Sequence, residues 1–517
     1  MTDIHNILRE YFGYHSFRAG QEEIINSILA NRDVLAIMPT GAGKSVCYQV
    51  PALALDGITI VVSPLISLMQ DQVRSLIEMG IRGAYLNSSL TPRQLALATE
   101  RAKAGTYKII YVAPERLLTD SFIDFAKNAN ISLLAIDEAH CISQWGHEFR
   151  PSYTKISDFI ELLPYRPIVA AFTATATSLV KQDIAEKLKL HSPFELTTGF
   201  DRPNLHFAVY KPLSKESWIL NYLERNSDES GIIYCSSRKI VERLCETLSE
   251  NGIDALPYHA GMSDELRTKN QDDFIYDRVK IIVATSAFGM GINKPNVRFV
   301  IHYHMPRNIE QYYQEAGRAG RDGEKAECIL LYSGSDVSLN KFMINKGSEE
   351  NESLTPEERK AFLKEELEKL RIMTFYSTSK TVCLRKRMLN YFGEYAPQHC
   401  NNCSVCEDYA NDDYSEIIKP IRKTESYTKE EVIPDKELFE HLKVLRKNIA
   451  MRQSVPAYVV FSDATLREMS GTKPRTEKEF LSINGIGDNK LKRYGSIFLA
   501  EIQKYICLLY TSPSPRD

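Results

Sequence analysis

Five short runs, "VLAIM", "ITIVVS", "KIIYVA", "LLAID" and "PIVAAFT", recur between residues 30 and 180, separated by longer segments with apolar residues at helical spacing. A strand that is apolar at every position must be covered on both faces, and a parallel sheet with crossover helices on either side does this. The pattern restarts at residue 231 with "GIIYC", then "KIIVATS", "VRFVIHY" and "AECILLY". Two α/β domains are therefore expected, joined near "GFDRPNLHF". A chain of 517 residues, 43% hydrophobic, has room for several cores, because single cores stop growing near roughly 250 to 300 residues.

Past residue 345 the character changes. "TPEERKAFLKEELEKL" carries an N-cap at Thr355, Pro356 at the first helical position and Glu358 completing a capping box, so a charged helix is expected to start there. Residues 408–434 have little apolar periodicity and read as a linker, and 435–507 read as a last helical unit. The final "LLYTSPSPRD", residues 508–517, follows no period and is set aside as a non-native tail. The longest strand-like stretch, "ITIVVSPLISLM", is broken by Ser63, Pro64 and Ser67, so no membrane span is expected, and "MTDIHNILREYFGY" does not read as a secretory signal. A cytoplasmic location is the expectation.

"MPTGAGKS" ends a predicted strand and opens a helix. Backbone N–H groups of such a loop, including Thr40, Gly41 and Gly43, surround phosphates, Lys44 sets a cation on the outer ones, and the Ser45 hydroxyl suits Mg2+. Met38 stands where the usual pattern has its first glycine. Asp137 and Glu138 end a later strand of the same sheet. There Asp137 would act on Mg2+ through water and Glu138 would polarise the attacking water. His140 is read as a relay to "FTATAT", residues 172–177. Directly after them come Trp145, His147, Phe149, Arg150 and Tyr153, which suit a flat base or a phosphate. In "QYYQEAGRAGRDG", Gln314, Arg318 and Arg321 join the candidate catalytic set. The two arginines, three apart, are expected to share a helix face and to neutralise charge on a γ-phosphate. "CLRKRMLNYFGEYAPQHCNNCSVC" sets Cys383 on a basic helix and Cys400, Cys403 and Cys406 on a tight loop, an array that can close a tetrahedral Zn2+ site.

Taken together, "FGYHSFRAGQEEI", "PTGAGKS", "VVSPLISLMQDQV", "DEAHCISQWGHEFRPSY", "FTATAT", "YHAGM", "ATSAFGMGINKPNV" and "QEAGRAGRDG", in this order over residues 11 to 323, resemble a superfamily 2 helicase and more closely the RecQ family. The cysteine segment, with "NYFGE", resembles that family's zinc-binding subdomain. Residues 435–507, with thirteen Lys and Arg against nine Asp and Glu, resemble the helicase-and-RNase-D C-terminal (HRDC) module, read as an auxiliary nucleic-acid contact or a packing module. The resemblance implies that Tyr14 and Arg18 sandwich adenine while Gln21 bonds its edge. It also implies that the segment from Trp145 to Arg150 touches single-stranded DNA.

The architecture so implied is α/β: two tandem RecA-like parallel-sheet domains (1–200 and 201–344), a helical zinc-binding subdomain (345–407), the linker, and a small all-α module. The activity implied is an ATP-dependent, 3′-to-5′ DNA helicase of recombination and repair, with ATP, Mg2+ and Zn2+, acting on single-stranded and forked duplex DNA. A monomer is the expectation, which the resemblance itself does not carry. The family often has a winged helix between the zinc site and the last module, and the short linker here leaves no room for one. An RNA helicase, or an ATP-gated clamp or annealing factor that holds DNA without separating it, stays open on the sequence.

Overall fold

The computed structural model describes residues 3–39, 41–87, 90–143, 149–288, 294–350, 355–411, 434–453 and 455–511. They form two compact units, one of residues 1–198 with 425–517, the other of residues 199–424.

The first unit holds a seven-stranded parallel sheet of β1 (Val34–Ile37), β2 (Ile58–Val62), β3 (Gly83–Leu86), β4 (Ile109–Val112), β5 (Ile131–Ile136), β6 (Ile168–Thr173) and β7 (Phe194–Thr197), in the order β3-β4-β2-β5-β6-β1-β7. The second holds β8 (Leu205–Tyr210), β9 (Ser230–Tyr234), β10 (Ala255–Tyr258), β11 (Ile281–Ala284), β12 (Val297–His302) and β13 (Ala326–Leu331), in the order β10-β11-β9-β12-β13-β8 and again parallel throughout. Both are RecA-like sheets, as expected. Nine strands coincide with the apolar runs, and all nine are interior to their sheets. The four others, β3, β7, β8 and β10, are the four sheet edges. "LHF", the end of the segment placed at the domain junction, opens strand β8.

Pairing of β1 with β6, and of β6 with β5, brings the carboxyl ends of these three strands to one crevice. The opposite ends are tied by Asp33. Its carboxylate takes both Arg166 guanidinium nitrogens at 3.0 and 2.6 Å, the Val169 N–H at 3.0 Å and the His191 N–H at 2.8 Å. Burial works to raise the Asp33 pKa, but the Arg166 and backbone hydrogen bonds prevail and hold it below the usual carboxylate range.

In the second unit the helix Pro356–Thr378 begins with the capping box of Thr355 and Glu358. In the first, the C-terminal residues form an all-helical module around Phe461, whose ring meets Phe480, Tyr494 and Phe498 edge-on. This module docks on the amino-terminal segment. The Gly485 N–H donates to the Gly13 carbonyl at 2.9 Å, and Asn489 donates to the Met79 carbonyl at 2.7 Å. Gly13 has φ +70°, and a Cβ there would lie 2.5 Å from the Ile486 carbonyl carbon, so only glycine permits the approach. Arg493 pairs with Glu78 and Lys490 lies over the Phe461 ring, so part of the module's positive charge serves packing.

The last helix, Ser496–Thr511, runs into the stretch set aside as a tail. Residues 508–511 continue its turns, and 512–517 lie outside the described residues. Likewise the helix Ser404–Asn411 enters the stretch read as linker, of which 412–433 lie outside the description.

Candidate nucleotide site and metal centre

Helix Lys44–Ala54 starts directly after the Gly-rich loop, with Gly43 as its cap at φ +84° and Gly41 at φ +88°. Thr40 lies outside the described residues. Arg18 and Gln21 come from outside the loop yet are bonded to it. The Gln21 carboxamide nitrogen donates to the Ala42 and Gly43 carbonyls, each at 3.1 Å, while its oxygen accepts the Arg18 N–H at 2.9 Å. Arg18 donates to the Gly41 carbonyl at 2.6 Å. Two of the three residues implied as adenine contacts are thus engaged with the Gly-rich loop, and Gln21 must exchange these bonds to meet a base. Tyr14 is 41% exposed, open to stacking.

Asp137 follows β5 and is 8% exposed. Burial and then the Glu138 charge push its pKa up to about 7, against the pull of Lys44. A buried acid pair beside Lys44 fits a cation, and Ser45, the second residue of the helix Lys44–Ala54, is the hydroxyl nearest in sequence to Lys44. Glu138 has φ +49°, a left-handed conformation that costs about 1 to 3 kcal/mol for a residue with a Cβ. The turn is held by the Asp137 N–H on the Val62 carbonyl and by the Tyr153 hydroxyl on the Asp137 carbonyl, both at 2.9 Å. Tyr153, grouped by sequence with the base-gripping residues, is fully buried and serves this turn instead. His140 Nδ1 lies 2.9 Å from Thr173 Oγ1 and 3.4 Å from Glu138 Oε2, which links the end of β5 to "FTATAT".

Trp145 and His147 lie outside the described residues. On either side of them, the Arg150 N–H donates to the Cys141 carbonyl at 2.8 Å. Phe149 is 36% exposed with the Lys187 ammonium 5.9 Å from its ring centre, and Arg150 donates to the Pro64 carbonyl at 2.9 Å.

In the second unit Gln314 is buried on helix Ile309–Ala316, but the two arginines do not share a helix face. The helix stops at Gly317. Arg202 then takes the Gly317, Ala319 and Gly320 carbonyls, and Gly320 turns at φ +56°, so Arg318 and Arg321 stand on a tight turn. The sequence signal for this was "GRAG", read as basic helix when its glycines are helix terminators.

The Cys383, Cys400, Cys403 and Cys406 sulfurs lie within 4.8 Å of one another, with Cys383 and Cys403 at 3.9 Å. Tetrahedral Zn–S bonds of about 2.3 Å set sulfurs about 3.8 Å apart, so the cluster fits Zn2+. Cys383 caps the helix Leu384–Tyr391 rather than lying within it, and Cys406 sits in the helix Ser404–Asn411 rather than on the loop. Asn402, between the ligands, donates to the Pro203 and Leu205 carbonyls, and Arg385 pairs with Asp201, which fastens the cluster to β8.

Two RecA-like sheets, with a phosphate loop and an acid pair on the first and an arginine turn on the second, define a nucleotide-driven helicase of superfamily 2. Family descriptions match accordingly: DEAD/DEAH box helicase over residues 18–183, helicase conserved C-terminal domain over 214–323, RecQ zinc-binding over 334–407 and HRDC domain over 435–502. The chain is 38% identical over 591 positions to the ATP-dependent DNA helicase RecQ of Bacillus subtilis (strain 168), covering 97% of this chain and 98% of the relative. It therefore belongs to the RecQ family of ATP-dependent DNA helicases. A putative ATP-dependent RNA helicase of Acanthamoeba polyphaga mimivirus is 42% identical over 403 residues, 77% of this chain and 71% of that one. Among solved structures, the DEAD-box helicase Mss116 bound to ssRNA and UDP-BeF shares the fold with a TM-score of 0.54 at 18% identity, over 75% of this chain and 90% of that one. No helix among the described residues is long and apolar enough to cross a membrane.

Proposed function

We propose that the protein is an ATP-driven motor that moves 3′ to 5′ on single-stranded DNA and separates duplex or forked DNA in recombination and repair, acting as a monomer. The observation that carries this is the short tether from chemistry to grip. Asp137 and Glu138 stand on the strained turn after β5, and the Arg150 N–H returns the chain to Cys141 three residues later. A base stacked on Trp145 or Phe149 is worth on the order of 1 to 3 kcal/mol, enough to bias that turn.

In this reading Lys44 and the loop N–H groups hold the phosphates of ATP, with Tyr14, Arg18 and Gln21 at its adenine. Ser45 and Asp137 are the residues to hold Mg2+, which supplies charge neutralisation on the phosphate oxygens. Glu138 takes a proton from the attacking water, and His140 keeps Glu138 in line through Thr173. Arg318 and Arg321 offset the charge developing on the γ-phosphate, with Gln314 supporting them. Zn2+ on the four cysteines holds its subdomain folded. Thiolate ligands need a reducing compartment, which supports the cytoplasm, at the nucleoid.

One observation favours a second reading. The alignment to the bacterial relative runs over 591 positions against 517 residues here, so that relative carries residues without counterpart in this chain. If the missing segment is what pries strands apart, the protein is an ATP-gated clamp. The test is ATPase stimulation by single-stranded DNA and by RNA of one sequence, beside displacement of strands annealed 5′ or 3′ on a single-stranded centre. Stronger stimulation by DNA with 3′-to-5′ displacement supports the proposal. Stimulation without displacement supports the clamp, and preference for RNA refutes the DNA assignment.

A further inference from the structure

Residues 201–205, "DRPNL", lead into β8 and stand between two neighbours. On one side is the turn that follows helix Ile309–Ala316. The Arg202 guanidinium donates to the Gly317, Ala319 and Gly320 carbonyls at 3.3, 3.0 and 2.7 Å, and the Asn204 carboxamide donates to the Gly320 and Glu324 carbonyls at 2.9 and 2.8 Å. The two side chains are themselves joined, Arg202 Nε donating to Asn204 Oδ1 at 3.3 Å. On the other side is the zinc-binding subdomain. Arg385, two residues after Cys383, is 4% exposed; it donates to the Arg202 carbonyl at 2.7 Å and to the Leu205 carbonyl, and pairs with Asp201. Asn402, between Cys400 and Cys403, donates to the Leu205 carbonyl at 3.1 Å.

A helix ends with its last carbonyls unpaired, and a cation is favoured there because that end of the helix dipole is negative. Here the cation comes from a segment more than a hundred residues earlier, so the course of the turn depends on where that segment is held. The carbonyls it takes lie on both sides of Arg318 and directly before Arg321. A planar guanidinium with donors in a fixed fork constrains the directions of three carbonyls at once. The opposite side of the turn is pinned to the start of β12. The Gly320 N–H donates to the Val297 carbonyl at 2.9 Å, and Arg298 donates to both Asp322 carboxylate oxygens at 2.7 and 2.8 Å. The fit is close, since a Cβ on Gly320 would lie 2.5 Å from the Asn204 amide nitrogen. The backbone from which both arginine side chains spring is therefore set by Arg202 on one side and β12 on the other.

We propose that Arg202 is a positioning residue for Arg318 and Arg321, and that Arg385 makes its hold depend on the zinc-binding subdomain, which thereby acts on ATP turnover through residues 201–205. This rests on the reading of Arg318 and Arg321 as the cations for the γ-phosphate. The test is the DNA-stimulated ATPase of the full chain carrying Arg202→Met, Arg385→Met or both, with zinc content and melting temperature measured alongside. Arg202→Met is expected to lower kcat about tenfold with the KM for ATP within twofold of the parent, since misplacement of a charged group is felt in the transition state. Arg385→Met is expected to lower kcat in the same way while keeping one zinc per chain, and the double variant to be no slower than Arg202→Met alone. An Arg202→Met kcat within twofold of the parent, whatever its melting temperature, overturns the proposal and leaves Arg202 a helix cap. Penalties that multiply in the double variant, or zinc lost from Arg385→Met, overturn the route through Arg385 and leave the role of Arg202 standing. Arg318→Ala and Arg321→Ala are each expected to lower kcat about a thousandfold. Parent-like turnover by both overturns the reading beneath, and the proposal with it. Should Arg202→Met fail to fold, Arg202→Gln, which keeps an NH2 donor for a single carbonyl, takes its place with the same expected loss and the same contrary result.

Discussion

His140 Nδ1 lies 2.9 Å from Thr173 Oγ1, so the acid turn after β5 and the end of β6 are joined by one contact between buried side chains. Thr173 passes the link on, donating to the Thr175 carbonyl at 3.1 Å. Replacing Thr173 by Val keeps the shape and deletes the hydroxyl. The expected result is a loss of about tenfold or more in DNA-stimulated kcat with a small change in the KM for ATP, because the buried imidazole loses the hydroxyl that fixes its Nδ1 between β6 and Glu138. Steady-state ATPase with and without oligonucleotide checks this.

Gly43 caps the helix that begins with Lys44, at a φ that residues with a Cβ rarely adopt, and a Cβ there would stand 2.5 Å from the Gln21 amide nitrogen. Gly43→Ala is therefore expected to distort the loop and weaken ATP binding at least tenfold, about 1.4 kcal/mol or more. Titration with a fluorescent ATP analogue measures it.

The four cysteine sulfurs, buried or half-buried and within 4.8 Å of one another, are spaced as a tetrahedral Zn2+ site requires. Metal analysis is expected to give one zinc per chain. Cys403→Ser, or removal of metal by chelator, is expected to lower the melting temperature and solubility, because such sites supply folding energy outright.

How far the sequence foretold the fold divides by position in the sheet. Interior strands such as β1, β2 and β4 are buried along their whole length and therefore spell out as unbroken apolar runs. Edge strands β7 and β10 are only partly buried, and β10 carries Pro257, which an edge tolerates, so neither advertises itself. Within the site, local motifs such as the phosphate loop and the cysteines were legible because their chemistry needs fixed spacing. The bonds of Gln21 to Gly43, of Tyr153 to Asp137 and of Gly485 to Gly13 were not, since each joins residues whose proximity only the folded chain creates. The turn at Arg318 was misread because helical spacing was counted across Gly317 and Gly320.

Asp33 gives a pH test of what fastens β1 beneath the loop. Its pKa is lowered in the folded state relative to the ordinary 3.8, so its stabilisation is present above the unfolded value and disappears as pH falls through the folded one. Asp33→Asn is expected to cost about 2 kcal/mol at neutral pH, a figure reduced for the partial exposure of Arg166. Urea unfolding is expected to show a constant gap between parent and variant from pH 8 to 5, closing below the carboxylate range.

The most direct test of the account is strand displacement on a forked DNA duplex with ATP, run with the parent and with Lys44→Ala. The account predicts that the parent separates the strands only while ATP is hydrolysed, and that Lys44→Ala, folded and with the same melting temperature, neither hydrolyses nor separates. Separation by Lys44→Ala, or vigorous DNA-stimulated hydrolysis by the parent with no strand released, would contradict it.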